Sequence, residues 1–166
     1  MRRPANLRRA LGVALVIFVL DRVSKHYVVE WLGLAELRVI EVFDPWFNLT
    51  MAWNRGINFG FLDMGAQGRW ILIGVAVAIV LALMIWVRGT RGRAQAIGAG
   101  AIIGGAMGNV WDRVQYGAVA DFVNMSCCGI RNPYAFNLAD AAIFAGAGLL
   151  LLFPETRAPR RRRKRT

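Results

Sequence analysis

Trp70 to Val87, WILIGVAVAIVLALMIWV, runs for eighteen residues without a charge and is bracketed by Arg69 and Arg88. At about 1.5 Å per residue, a helix of this length nearly crosses a hydrocarbon core of about 30 Å. The stretch therefore reads as a membrane span, and the composition agrees. With 57% hydrophobic residues, a mean hydropathy of +0.42 and 166 residues, the chain is too apolar for an ordinary soluble domain and too short for several. One integral membrane unit covering residues 1–166 is expected.

Working outward from that span, Ala94–Trp111 is a second uncharged run, and Phe136–Phe153 is a third with a single acid near its start. The first apolar stretch is less simple. Ala10–Leu20 is too short to span alone and follows MRRPANLRR, the layout of a secretory signal peptide. What comes next is Asp21, Arg22, Val23, Ser24 and Lys25 rather than a small-residue cleavage site, and the apolar pattern resumes through Trp31. A retained first helix is the better reading. The expected fold is an all-α membrane protein with four transmembrane helices, at about 7–31, 69–88, 94–114 and 136–154, and a small extracytoplasmic β-containing loop region. That loop is VIEVFDPWFNLTMAWN, Val39–Asn54, whose β-prone and aromatic residues alternate in part and suggest a strand pair at the membrane surface.

The chain carries 21 Lys and Arg against 10 Asp and Glu, a net charge of +11, and the excess is clustered. Arg2, Arg3, Arg8 and Arg9 precede the first span, Arg88, Arg91 and Arg93 fill the connection between spans two and three, and the basic tail 157–166 follows the fourth. An even number of spans puts all three clusters on one side, which the positive-inside rule makes the cytoplasm. Both termini are expected there. The segments 32–67 and 117–135 then face outward. The tail reads as a topology anchor touching lipid headgroups, in preference to a nucleic-acid-binding segment.

The acids carry the chemistry. A carboxylate deep in hydrocarbon costs at least about 2.5 kcal/mol, so it normally pairs with a partner or reacts. Asp21 and Lys25 are four residues apart on the first helix, where each offsets the other's charge. Asn109, Asp112 and Arg113 end the third span, and Asn137 and Asp140 begin the fourth, so all share the outward depth. Ala96, Gly100, Gly104 and Gly108 recur every four residues, a face on which a neighbouring helix can approach closely. Asp121, in the segment YGAVADFV, can be carried back over the helix ends to meet another carboxylate. Two acids in a small dry site do not ionise together, and such a pair activates water while hydrogen-bonding a carbonyl, as in aspartic peptidases.

Four ordered motifs then carry a family resemblance. GGAMGNVWDR, Gly104–Arg113, followed by Gly117, Val119, Asp121 and Phe122, resembles the third motif region of the lipoprotein signal peptidases, or signal peptidase II, an aspartic intramembrane peptidase family. FNLAD, Phe136–Asp140, is similar to the next motif, DRVSK, Asp21–Lys25, to the first-helix pattern, and Asn54, Arg55, Gly56, Phe59 and Gly60 to that of the first outward loop. The resemblance implies an aspartic endopeptidase of the bacterial cytoplasmic (inner) membrane that cleaves signal peptides from diacylglyceryl-modified prolipoproteins, just before the lipid-modified cysteine. It implies Asp121 and Asp140 as the catalytic pair. Asn54, Gly56, Asn109, Arg113 and Asn137 are implied to bind substrate or orient the acids, with Asp21, Lys25 and Asp112 as architectural support. No metal or organic cofactor and no nucleic acid is implied; the partners are the prolipoprotein and membrane lipids, and a monomer is expected. One departure is Asn58, where the family usually carries a small apolar residue.

Other features weigh less. His26 is the only histidine, so a His-rich metal site is excluded. Cys127 and Cys128 are adjacent and outward, without further soft ligands nearby, and read as free thiols or redox-sensitive loop residues, between which the sequence does not decide. Asn48, Leu49 and Thr50 match a glycosylation pattern that arises often by chance. Trp46, Phe47, Trp53, Phe59 and Phe61 suit an interfacial belt. Two other functions compete with peptide hydrolysis. A proton or ion conductor would need polar groups stepped across the whole membrane, and span two and the inner halves of spans three and four read as having none. A membrane chaperone would have no need of both Asp121 and Asp140.

Overall fold

The computed structural model describes residues 4–56, 65–127 and 132–154. Helix α1, Pro4–Lys25, passes without a break into a π-helical turn, His26–Trp31, closed by a bond from Leu32 N to Tyr27 O of 2.9 Å. The expected first helix at 7–31 is thus α-helical only to Lys25. In the wider turn both Val28 and Val29 are buried, packed with Leu34, Leu49, Met51, Ala120 and Phe122. One turn of helix, α2 (Leu34–Leu37), follows Gly33, whose φ of +68° is a conformation open to glycine.

The Val39–Asn54 segment forms the expected strand pair, β1 (Val39–Phe43) and β2 (Phe47–Asn54), antiparallel and joined through a cis Asp44–Pro45 bond. A third strand, β3 (Val119–Met125), pairs antiparallel with β2 and completes a sheet of order β1-β2-β3. This strand goes beyond the sequence reading, which placed Asp121 in a short segment, YGAVADFV, without assigning it to a strand. The sheet's inner side buries Leu49, Met51, Ala120 and Phe122 against the π-helical turn. Trp46 remains half exposed, whereas Phe47 packs against that core and so is not a free belt residue. Asn48 is also buried, accepting a bond from Val42 N and donating to Asp44, which makes it a turn-bracing residue.

Helix α3, Gly65–Val87, contains the deciding apolar run. The most apolar eighteen-residue window of its Gln67–Val87 stretch has a mean hydropathy of 2.8 with only 11% buried inside the protein, and α3 is the one helix among the described residues long and apolar enough by itself to cross a membrane. Helix α4, Arg93–Tyr116, and helix α5, Leu138–Leu152, correspond to the other two expected spans. α5 is apolar but has only 15 residues, α1 carries charges toward both of its ends, and the uncharged run of α4 is diluted by glycines, Gln95 and Asn109, so hydropathy alone does not single them out.

α4 is the hub, contacting α1, α3 and α5. Its glycines explain why. A Cβ on Gly104 would lie 2.5 Å from Ala14 O of α1, and one on Gly98 would lie 2.8 Å from Gly146 O of α5. No real Cβ tolerates such distances, so small residues set the interaxial approach on two faces. The expected every-fourth-residue stripe, Gly100, Gly104 and Gly108, faces α1, while Gly98 and Gly105 make a second stripe facing α5. That close approach brings the ends of α1, α4 and α5 together beneath β3.

Candidate active site

Three elements deliver the acids. β3 pairs Asp121 with Ala52 and Val119 with Asn54 across the ladder, which sets the Asn54 side chain beside Asp121. Beyond β3, Phe136 rejoins the strand through Val123 N to Phe136 O, 2.8 Å, and Phe136 N to Val123 O, 3.0 Å. This clamp holds the next residue, Asn137, as the N-cap of α5. There Asn137 Oδ1 accepts from Asp140 N at 2.9 Å while Asp140 Oδ2 accepts from Asn137 N at 3.3 Å, a reciprocal capping box.

Asn137 is fully buried and links both carboxyls. Its Nδ2 donates to Asp121 Oδ1 at 2.6 Å, and also reaches Asn109 Oδ1 and Ala120 O, each at 3.3 Å. Asp121 Oδ2 accepts from Asn54 Nδ2 at 3.2 Å, and Asp140 Oδ1 accepts from Asn109 Nδ2 at 2.8 Å. Three asparagines from three elements therefore hold the two acids. Arg113 bridges Asn109 O, 3.4 Å, and Gly56 O, 3.3 Å, while Gly56 N donates to Asn54 Oδ1 at 3.2 Å, so the end of α4 fixes the start of the outward loop.

Burial and charge separate the two carboxyls. Asp121 is 2% exposed and Asp140 is partly open. Desolvation, then the nearby Asp140 charge, pushes the Asp121 carboxyl up to about 7 against the opposing pull of the Asn54 and Asn137 bonds and of Lys25. Near neutral pH the buried Asp121 can keep its proton. Both face a cleft of about 600 Å³ walled by Trp53, Asn54, Gly56, Tyr134, Phe136 and Phe144, among others. The arrangement can hold an extended polar chain against two acids, with apolar walls on either side.

Under the dyad lies a buried four-charge cluster. Lys25 Nζ meets Asp112 at 2.6 Å and Asp21 at 3.1 Å, and Arg22 meets Asp21 at 2.6 Å and Asp112 at 2.7 Å. The cluster also braces backbone near both acids: Ala120 N donates to Asp112 Oδ2 and Ala139 N to Asp21 Oδ1, each at 3.2 Å. Lys25 reaches Asn109 Oδ1 at 3.5 Å. Every expected site residue, Asn54, Gly56, Asn109, Arg113, Asp121, Asn137 and Asp140, with Asp21, Lys25 and Asp112 below, falls within this one network. Sequence reasoning passed over Arg22 and Phe136. The signal for Arg22 was its place between Asp21 and Lys25, one base too many for a single acid. Asn58, Phe59, Phe61, Cys128 and the tail lie outside the described residues, and Cys127 is exposed at the end of β3. His26 stands apart, exposed and bonded to Glu30 at 2.7 Å.

The model for the family described as signal peptidase (SPase) II matches residues 13–154, which include all these side chains. The chain belongs to the signal peptidase II family. A protein of Caulobacter vibrioides named lipoprotein signal peptidase is 41% identical over 144 residues, covering 86% of this chain and 84% of that one. One of the same name from Methylorubrum extorquens is 40% identical over 156 residues, covering 92% and 90%. Two solved structures described as bacterial membrane enzymes share the fold. One superposes with a TM-score of 0.72 at 23% identity, covering 86% of this chain and 85% of that one, and the other with 0.71 at 24%, covering 89% and 94%. The family's members are peptidases, so the cleft with its paired acids belongs to a peptidase in a membrane protein.

Proposed function

We propose that this protein is a lipoprotein signal peptidase that cleaves diacylglyceryl-modified prolipoproteins before the modified cysteine, with Asp121 and Asp140 as its catalytic pair. One observation carries the assignment of the pair. A single buried residue, Asn137, hydrogen-bonds both carboxyls at the mouth of the cleft. Asp140, the more open acid, takes a proton from water as the oxygen attacks the scissile carbonyl. Asp121, protonated, donates to that carbonyl oxygen and stabilises the charge developing on it. The tetrahedral diol then collapses: the hydroxyl that took its proton from Asp121 returns it to that carboxylate as the C=O bond re-forms, the C–N bond breaks, and the proton gained by Asp140 passes to the leaving amine. Asn54, Asn109 and Arg113 orient the acids and the peptide, and Gly56 leaves room for its backbone.

α1 with its π-helical turn, α3, α4 and α5 are the four spans of one domain, and the sheet lies on the outer face. The charge distribution supports this: Arg8, Arg9, Arg88, Arg91 and Arg93 gather at the helix ends opposite the acids, which favours a cytoplasmic side for both termini. The lipid on the substrate's cysteine then holds the scissile bond at the depth of the aspartates. The test is cleavage of a lipid-modified prolipoprotein by the purified full chain. Asp121→Asn and Asp140→Asn are each expected to lose about 10³-fold or more in turnover while still binding the precursor. An unmodified precursor is expected to be cut more slowly. A well-folded Asn variant that cleaves at the wild-type rate would overturn the pairing.

A further inference from the structure

At the end of the bundle away from the aspartates, α1 and α4 leave between them a cavity of about 610 Å³. Its walls are apolar, Gly12, Val13, Val16 and Ile17 from α1 and Ile97 from α4, and its charged lining is Arg9 and Arg93. The sequence places them so. Arg9, Val13 and Ile17 are spaced by four, as are Arg93 and Ile97, and each helix therefore sets its guanidinium in line with its own apolar wall.

Arg9 is also held in position. Its Nη1 donates to Asn6 Oδ1 at 2.8 Å, and Asn6, only 5% exposed, donates in turn to Thr90 O at 2.9 Å in the α3–α4 connection. No Asp or Glu occurs in 4–20, 65–111 or 141–154, and the ion pairs among the described residues all use Asp21, Asp112 or Glu30. The two guanidiniums thus border an apolar trough with no internal counter-charge among the described residues. Along α1, Arg9 is about 18 Å from the level of Asp21, and along α4, Arg93 is about 28 Å from that of Asp112. The trough is separate from the peptidase cleft.

We propose that this trough binds one anionic glycerophospholipid, with its phosphate on Arg9 and Arg93 and an acyl chain along Val13, Val16, Ile17 and Ile97. A long apolar body with a single anionic end matches the wall and the charge together, and basic pockets between membrane helices are suited to such headgroups. A basic peptide segment meets like charge at the same place.

The purified full chain in neutral detergent is titrated with dioleoylphosphatidylglycerol and, in parallel, dioleoylphosphatidylcholine, and bound lipid is counted by native mass spectrometry. One phosphatidylglycerol is expected to be retained about tenfold or more in preference to phosphatidylcholine. Arg9→Gln with Arg93→Gln is expected to reduce that preference to within about threefold. Gly12→Leu fills the trough from a position where an added Cβ meets nothing within 4 Å, and is expected to lower retention with both arginines present. Peptidase turnover in detergent, expected to stay at the wild-type level in these variants, reports their folding. Equal retention of the two lipids by the wild-type chain overturns the proposal whether or not the variants fold. So does an undiminished preference in the double variant, or release of the lipid by inorganic phosphate alone, which would mark a free-anion site.

Discussion

Asn137 does three things with one side chain and one amide: it caps α5, steadies Asp140 and donates to Asp121. Its two dependants differ in consequence. Asp121 is a buried acid whose folded value of about 7 lies above its ordinary 3.8, so ionising it costs stability as pH rises through that window, whereas the protonated form does not. Asp121→Asn is therefore expected to raise the melting temperature above pH 7. Asp140→Ala removes the side-chain acceptor at the third position of the capping box and is expected to lower it, by the equivalent of about 1 kcal/mol. Thermal unfolding of both variants in detergent at pH 8 checks the opposite signs. The same value sets the rate profile. The proposed mechanism needs Asp121 protonated, so kcat/KM is expected to fall as pH rises through an apparent value near 7 that belongs to the pair. A flat profile from pH 6 to 9 would remove Asp121 as the acid. The acids and asparagines at the helix ends were legible because each is polar in an apolar setting, whereas Asn54 and Gly56 in the loop were named only by the family resemblance. Arg22 was not legible, since adjacent opposite charges at a helix end usually satisfy only each other.

Among the elements, the helices were readable to within a few residues because long apolar runs flanked by arginines mark them, as with Arg69 in the first turns of α3 and Arg88 just past its end. β3 was hidden. VADFVNM is short, carries two polar residues, and becomes a strand only because β2 offers an edge and Phe136 closes on its other side. The second glycine stripe was missed for a related reason: Gly98 and Gly105 are seven apart, and their purpose appears only once α5 is in place. Close helix approach makes two element-scale predictions. Gly104→Leu would drive a side chain into Ala14 O of α1 and is expected to abolish folded yield, read as the monodisperse fraction in size-exclusion chromatography. Asp112→Asn strips the cluster that joins α1, α4 and β3, leaves Arg22 and Lys25 undercompensated, and is expected to cost about 3–5 kcal/mol. Folded yield should drop more than turnover per folded molecule, since Asp112 touches neither acid in the site.

For the molecule as a whole, the proposed topology puts the two ends of α3 on opposite sides of the membrane. Cysteines substituted at Gln67 and Gly89 should be labelled from opposite faces by an impermeant maleimide, and labelling from one face would remove the outward site. The buried cluster beneath that site has a further consequence. Asp21 and Asp112 carry two negative charges and Arg22 and Lys25 two positive ones, so the group sums to zero inside the low-dielectric layer. A membrane voltage does about 2.3 kcal/mol of work per 100 mV on each uncompensated charge that crosses it, and on a neutral quartet it does almost none. The framework that aims the two acids is thus electrically silent, and cells whose proton-motive force has collapsed should hold this enzyme in the same working geometry as energised ones.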